Sequence, residues 1–443
     1  MPRRLFGTDG VRGPVGKMLT AELALALGRA ATLRARSQGG SRPGVLVIRD
    51  TRESGAMLES ALAAGIAEAG GDAVFAGVLP TPAASILVRR HGLDLAVVVS
   101  ASHNPWRDNG IKFFGGDGQK LSDAAEEEIE ELLNDFASRR LDGPGVGSIR
   151  RLEGARDDYL RELESTFSLD LGGRKVLLDC ANGAAYQVGP AAFRRLGAEV
   201  EVIADEPDGR NINEGVGSTH IADLARRIRE TSAEIGFAFD GDADRVLAVD
   251  ADGNVRDGDE LVALSALHLK EVGELVGGGV AVTVMTNFGF HQAMKQAGIE
   301  VTTTRVGDRY VIEELLQRNW KLGGEQSGHI IWTDFAPTGD GLVAALLAMR
   351  ALGERPLAEV RPFEKLPQLL ENVEVRDRQA IAGADRLWEA VAHEGAALEG
   401  RGRVLVRPSG TEPLIRVMAE APSEVECAEV VGRLVAVARA ELT

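Results

Sequence analysis

Three aspartates at alternate positions, Asp240, Asp242 and Asp244, stand in the segment FDGDADRV. Carboxylates crowded into so short a turn repel one another unless a hard, oxygen-seeking cation sits among them. The flanking runs EIGFAF and VLAVDADG read as strands, so the triad belongs to a tight loop between two of them. A calcium EF-hand is excluded, because Arg245 stands where that loop needs Gly and Ala251 where it needs an acid. An acidic hairpin turn would use the same residue types, but a basic Arg245 directly after the third carboxylate points to metal binding.

A second loop, SASHNPWRDNGIKFF, follows an apolar run reading VVV, which puts Ser102 at or just beyond a strand end. A hydroxyl there can accept a phosphoryl group if a basic side chain assists, and His103 and Lys112 are the candidates. The same composition also serves an ordinary Ser/Asn/Pro turn. In a third loop, GGEQSGH, Glu325 and Ser327 are two apart and share one side of an extended segment. They could read sugar hydroxyls or an amine, or belong to a polar edge strand. The fourth loop, RPSGTEPLIRV, combines Arg407, Ser409, Gly410, Thr411 and Arg416, which are guanidinium forks, hydroxyls and flexible backbone suited to a phosphate. It is no P-loop, since the Lys after the second Gly and the following helix are missing.

The elements that must hold these loops follow a regular grammar. GVLVIRD, DAVFAGV and DLAVVVS read as strands with helices SGAMLESALAAGIAEAG and PTPAASILVRRHG between them, then an acidic helix after Leu121 bearing Ile129, Leu132, Leu133 and Phe136 on one face. A second cycle runs from KVLLDCAN to EIGFAFD, and a third from DGDELVALSALHLKEV to LVAALLAMRAL. Strands alternating with helices predict α/β units with crossover connections. After EVRPFEKLPQ, a linker carrying Pro362 and Pro367, the order becomes β-α-β-β-α, a smaller α+β unit. The expected domains are 1–150, 151–254, 255–366 and 367–443, each with one chemical loop.

Bulk properties agree with this. At 443 residues the chain exceeds a single core, and 44% hydrophobic with 26% charged residues is ordinary for a globular protein. A net charge of −17 argues against nucleic acid or an anionic membrane as the main partner, while leaving room for a small anion on clustered Arg. Cys180 and Cys427 are far apart and form no zinc or disulfide pattern. MPRRLFGTDG lacks an apolar signal core and no apolar run would span a bilayer, so a cytoplasmic location is expected.

Together, a nucleophilic Ser, a carboxylate metal loop, a hydroxyl reader and a phosphate cradle suggest phosphoryl transfer on a small polyol. From FGTDGVRG to RPSGTEPLIRV the chain closely resembles the α-D-phosphohexomutase family, and within it the glucosamine branch. The resemblance implies three similar α/β domains and a smaller C-terminal α+β domain around a central cleft. It implies that Ser102 is the phosphoserine, that Asp240, Asp242 and Asp244 bind one Mg2+ completed by the phosphoserine oxygen, and that Glu325 and Ser327 read the sugar. Arg407, Ser409, Gly410, Thr411 and Arg416 would hold the non-reacting phosphate. Arg245, His329, Gly307, Asp308 and Arg309 would line the cleft, supported by Thr8, Asp9 and Arg12. Lys112 and His103, with His329 next, are the acid/base candidates. A glucosamine 1,6-bisphosphate intermediate and a homodimer are further implications. The alternatives are a mannose or glucose phosphate mutase, an aspartyl-phosphate hydrolase using Asp240, and a non-catalytic phosphosugar sensor.

Overall fold

The computed structural model describes residues 5–7, 9–39, 41–134, 145–409 and 413–442. By contact the chain divides into two units, Met1–Val284 with Glu300–Arg361, and Met285–Ile299 with Pro362–Thr443.

The first unit holds three mixed sheets. In the first, the strand order is Val11–Pro14, Asp108–Gly115, Leu95–Val99, Gly44–Arg49, Asp72–Val78, Ile149–Arg151. Leu95–Val99 is buried along its whole length, which its uninterrupted LAVVV composition anticipates for a strand covered on both faces. The second sheet runs Val255–Arg256, Val246–Asp250, Ile235–Phe239, Lys175–Asp179, Glu199–Ile203, and the third Glu300–Thr304, Gly279–Thr283, Leu322–Gly324, Ile330–Trp332.

One device recurs in all three. A strand that pairs parallel with its neighbour on one side pairs antiparallel with the next strand in the chain on the other. Leu95–Val99 returns as Asp108–Gly115, Ile235–Phe239 as Val246–Asp250, and Leu322–Gly324 as Ile330–Trp332. The intervening loops are those carrying Ser102, the Asp triad and Glu325. Each therefore leaves its sheet at the carboxyl end of a parallel strand, the edge where open α/β sheets bind ligands. The three α/β cycles expected from the sequence are present.

The acidic helix after Leu121 is Asp123–Asn134, with Ile129 buried and Leu132 and Leu133 packed on the same core. Phe136 lies outside the described residues. Among the described residues no helix is long and apolar enough to cross a membrane.

In the second unit a three-stranded antiparallel sheet, ordered Gln368–Glu374, Leu414–Glu420, Arg403–Pro408, packs with helices Asp385–Ala397 and Glu424–Leu442 over a core including Leu387, Val417, Val431 and Leu434. Helix Phe288–Gln296 belongs here too, although strands of the first unit flank it in sequence. Glu420 explains this, since its buried carboxylate accepts the Phe288 N–H at 2.7 Å and binds Arg403 at 2.9 Å. The Asn287 amide also exchanges two hydrogen bonds with the Leu366 backbone, at 3.0 and 3.1 Å.

Candidate active site

Ser102 is buried, with its hydroxyl donating to Asp240 Oδ2 at 2.5 Å and 3.2 Å from His103 Nδ1. Burial, then the positive charges of Arg245 and Arg12, lower the pKa of His103 to about 4, so its imidazole is neutral and able to accept a proton. The nucleophile and metal loops meet closely because residue 241 is glycine: a Cβ there would lie 2.5 Å from the Ser102 carbonyl oxygen.

Asp240, Asp242 and Asp244 are all buried, and each offers a carboxylate oxygen within 4.8 Å of the others'. Burial, then Asp244 and Asp242, push the pKa of Asp240 well up. Burial acts the same way on Asp242, but Lys112 and the Thr81 hydroxyl outweigh it and the net direction is downward. Oδ1 of Asp242 and Oδ1 of Asp244 are buried without a hydrogen-bond partner. Buried carboxylate oxygens without a hydrogen bond are costly, and converging hard donors of this kind fit a small divalent cation.

A run of ion pairs leads from Asp244 of the triad through Lys112, Asp9 and Lys120 to Asp308. Lys112 Nζ lies 3.7 Å from Asp244 and 3.0 Å from Asp9, and Asp9 accepts from Lys120 at 2.6 Å. Lys120 also pairs closely with Asp308. His329 lies between its two ends, with Nε2 accepting the Gly339 N–H at 3.2 Å and lying 3.6 Å from Asp308, and Nδ1 3.6 Å from Asp244. Burial opposes the charge on Lys112, but Asp242 and Asp9 prevail and raise its pKa, keeping it cationic. Arg12 pairs with Asp9.

Glu325 accepts the Gly307 N–H at 3.0 Å, which ties the sugar-reader loop to the VGDR turn at the start of helix Asp308–Arg318. Ser327 is exposed, and Arg245 is half-buried with Nε 3.7 Å from Asp244. Arg309 is engaged with Asp123 and Glu126 on the acidic helix. Thus Ser102, His103, Lys112, the triad, Asp9, Arg12, Arg245, Gly307, Asp308, Arg309, Glu325, Ser327 and His329 all belong to the first unit.

Arg407, Ser409 and Arg416 form a separate group in the second unit. Arg407 and Arg416 are register partners on adjacent antiparallel strands, and Ser409 follows at the turn, its N–H donating to Leu414 at 2.8 Å. The Nε atoms of both arginines are buried without a partner. Thr8, Gly410 and Thr411 lie outside the described residues.

Sequence reasoning missed Lys120, Thr81, Asp50 and Arg52. Thr81 opens helix Thr81–Arg90 and donates to Asp242 at 2.6 Å. Asp50 and Arg52 follow directly on strand Gly44–Arg49, so their position at a strand's carboxyl end was a usable signal.

Comparison with known proteins decides the family. Models described as phosphoglucomutase/phosphomannomutase match residues 3–140 (α/β/α domain I), 157–253 (domain II), 257–367 (domain III) and 370–437 (C-terminal domain). The chain belongs to the phosphoglucomutase/phosphomannomutase family. Among curated members, a phosphoglucosamine mutase from Desulforudis audaxviator is 50% identical over 98% of this chain and 97% of that protein. One from Pelotomaculum thermopropionicum is 51% identical over 97% and 98%. Among solved structures, a family protein from Burkholderia thailandensis superposes with a TM-score of 0.85 at 27% identity, covering 99% of this chain and 97% of its own. An N-acetylphosphoglucosamine mutase from Aspergillus fumigatus, solved with GlcNAc-6P and magnesium, shares the fold with a TM-score of 0.71 at 19% identity, covering 99% and 96%.

Proposed function

We propose that this family member interconverts glucosamine 6-phosphate and glucosamine 1-phosphate through a phosphoserine at Ser102 and a glucosamine 1,6-bisphosphate intermediate, supplying amino-sugar nucleotide and peptidoglycan precursor synthesis. The observation that carries the reaction is the Ser102 hydroxyl bonded to Asp240 inside a buried triad of carboxylates. The choice of sugar is supported by about half-identity, over nearly the whole chain, to relatives that are phosphoglucosamine mutases. An aspartyl-phosphate hydrolase or a mannose or glucose phosphate mutase is not favoured by those relatives.

Phosphorylated, Ser102 adds about −1.5 to −2 charge beside three aspartates. Asp240, Asp242 and Asp244, with a Ser102 oxygen, would hold one Mg2+, which when bound neutralises charge and polarises the phosphoryl oxygens. The sugar's 1-hydroxyl attacks the phosphorus, the bond to Ser102 Oγ breaks, and the bisphosphate forms. Neutral His103 is suited to take the hydroxyl proton, and cationic Lys112 to steady the transferring group and protonate the departing serine oxygen. His329 stands next as an acid/base group. After the bisphosphate turns round, Ser102 takes the 6-phosphate and glucosamine 1-phosphate leaves. Glu325 and Ser327 read the sugar, with Arg245, Gly307, Asp308 and Arg309 as further contacts. Arg407, Ser409, Gly410, Thr411 and Arg416 hold the phosphate that is not reacting. Positioning and electrostatics supply most of the acceleration. We further assign four domains, 1–150, 151–254, 255–366 and 367–443, and a cytoplasmic setting in which Cys180 and Cys427 stay reduced.

The test is Ser102→Ala assayed for isomerisation of glucosamine 6-phosphate. A loss of at least about 10³-fold is expected, and full activity would overturn the reading. Turnover of glucosamine, glucose and mannose 6-phosphates compared side by side tests the sugar, and a preference for mannose would overturn that part.

A further inference from the structure

Ser102 adopts φ +53°, in the left-handed region that a side-chain-bearing residue seldom enters unaided. Both ends of its backbone are held there. Its N–H donates to Ser100 Oγ at 3.0 Å, and Ser100 Oγ donates to Asp50 Oδ2 at 2.6 Å. Its carbonyl accepts from Arg52 Nη2 at 2.8 Å and from Asn213 Nδ2 at 2.9 Å. Asp50 Oδ2 in turn accepts from Arg52 Nε at 2.9 Å, which closes the circuit.

Arg52 does more than hold one carbonyl. Its side chain has no exposure, and its remaining donors reach the carbonyls of Asn104 at 2.8 Å, Pro105 at 2.5 Å and Asp108 at 3.0 Å. One guanidinium thus gathers four carbonyls of the segment from Ser102 to Asp108. A planar five-donor fork can do this, whereas an ammonium has three donors on one atom. Asn213 repeats part of the pattern from the second sheet's side, donating also to Asn104 at 3.2 Å.

We propose that Arg52 is a positioning residue for phosphoryl transfer: together with Asp50 it clamps the Ser102 loop from beneath and fixes the hydroxyl in its attacking orientation. Arg52 meets the loop through main-chain carbonyls alone, so its effect on the reaction passes through Ser102. The proposal rests on the assignment of Ser102 as phosphoryl carrier.

The experiment compares wild type, Arg52→Lys, Asn213→Ala and Ser102→Ala in turnover of glucosamine 6-phosphate, with phosphate on the Ser102 peptide followed by mass spectrometry. Misplacing a nucleophile by about 1 Å costs on the order of 10²-fold in rate. Arg52→Lys is therefore expected to lower kcat about 100-fold with KM changed less than about threefold, since the substrate contacts are elsewhere. A folded Arg52→Lys with kcat within about threefold of wild type overturns the proposal. If Arg52→Lys does not fold, Asn213→Ala decides, with a kcat loss of about tenfold at constant KM supporting the clamp and an unchanged kcat overturning it. An active Ser102→Ala would instead remove the underlying assignment, an outcome separate from either of these.

Discussion

The ammonium of Lys112 lies 2.9 Å from Oδ2 of Asp242 and 3.7 Å from Asp244, against two members of the triad of carboxylates. A protein cation therefore competes for two of the carboxylates at which a metal cation is expected. At about 4 Å and an effective dielectric of 20, two unit charges interact by roughly 4 kcal/mol. Removing the lysine charge should make the triad a stronger divalent-cation site, while taking away the group proposed to steady the transferring phosphoryl. Lys112→Met should then bind Mg2+ at least about tenfold more tightly by calorimetry, with kcat lower by about 10²-fold. Weaker Mg2+ binding would contradict this account of the charge balance.

The residues that were legible in the sequence share one property, that their chemistry is packed into a short segment beyond a strand. Asp240, Asp242 and Asp244 announce themselves within five positions, and Ser102 lies just after a buried apolar run. Arg52 shows in the sequence only by its place just after a strand, because apart from Asp50 its partners are main-chain carbonyls 50 to 56 positions away and carbonyls leave no mark on residue type. Lys120 was hidden similarly, since its value depends on Asp9 and Asp308, 111 and 188 positions off. Helix Phe288–Gln296 has ordinary helical spacing, and it is Glu420, 132 positions from Phe288, and Leu366, 79 positions from Asn287, that draw it into the other unit.

Lys120 separates Asp9 from Asp308, and its side chain is 18% exposed. Burial raises the Asp308 pKa, but Lys120 and His329 outweigh that and hold the carboxyl ionised. Lys120→Met would remove the cation between two carboxylates, of which Asp9 keeps Lys112 and Arg12 and Asp308 keeps His329 nearby, so the cost should stay below the roughly 3 kcal/mol of an uncompensated buried charge. Urea unfolding should show that loss, with Lys120→Arg recovering most of it. Unchanged stability in Lys120→Met would show that the bridge contributes nothing.

Arg407 and Arg416 face each other across paired strands. Like charges so placed are unfavourable, and burial, then Arg416, lowers the pKa of Arg407. An anion between them would relieve the repulsion and satisfy both Nε atoms. Arg416→Leu should therefore leave the ligand-free protein at least as stable as wild type, yet abolish the rise in Tm that inorganic phosphate gives. In turnover, Arg407→Ala should raise KM about 10- to 100-fold with little change in kcat, as expected for charge-assisted bonds made equally throughout the reaction. A fall in kcat at constant KM would place Arg407 at the reacting phosphate instead.

Tyr159 donates to Asp340 Oδ2 at 2.7 Å, and both side chains are buried. Asp340 also caps helix Gly341–Leu352, accepting the N–H groups of Leu342 and Val343 at 2.9 and 3.1 Å. Burial nevertheless pushes its carboxyl up to about 6 from 3.8, against those three hydrogen bonds. Because the folded state binds this proton more tightly than the unfolded chain, the contribution to stability is full below about pH 4 and is lost as pH rises through about 6. The loss is roughly 3 kcal/mol by the usual conversion. Asp340→Asn cannot ionise and keeps an acceptor for the helix N–H groups. Its stability relative to wild type should therefore improve between pH 4.5 and pH 7.5 in urea unfolding. A difference independent of pH would mean that Asp340 stays charged throughout, with the hydrogen bonds from Tyr159, Leu342 and Val343 outweighing burial.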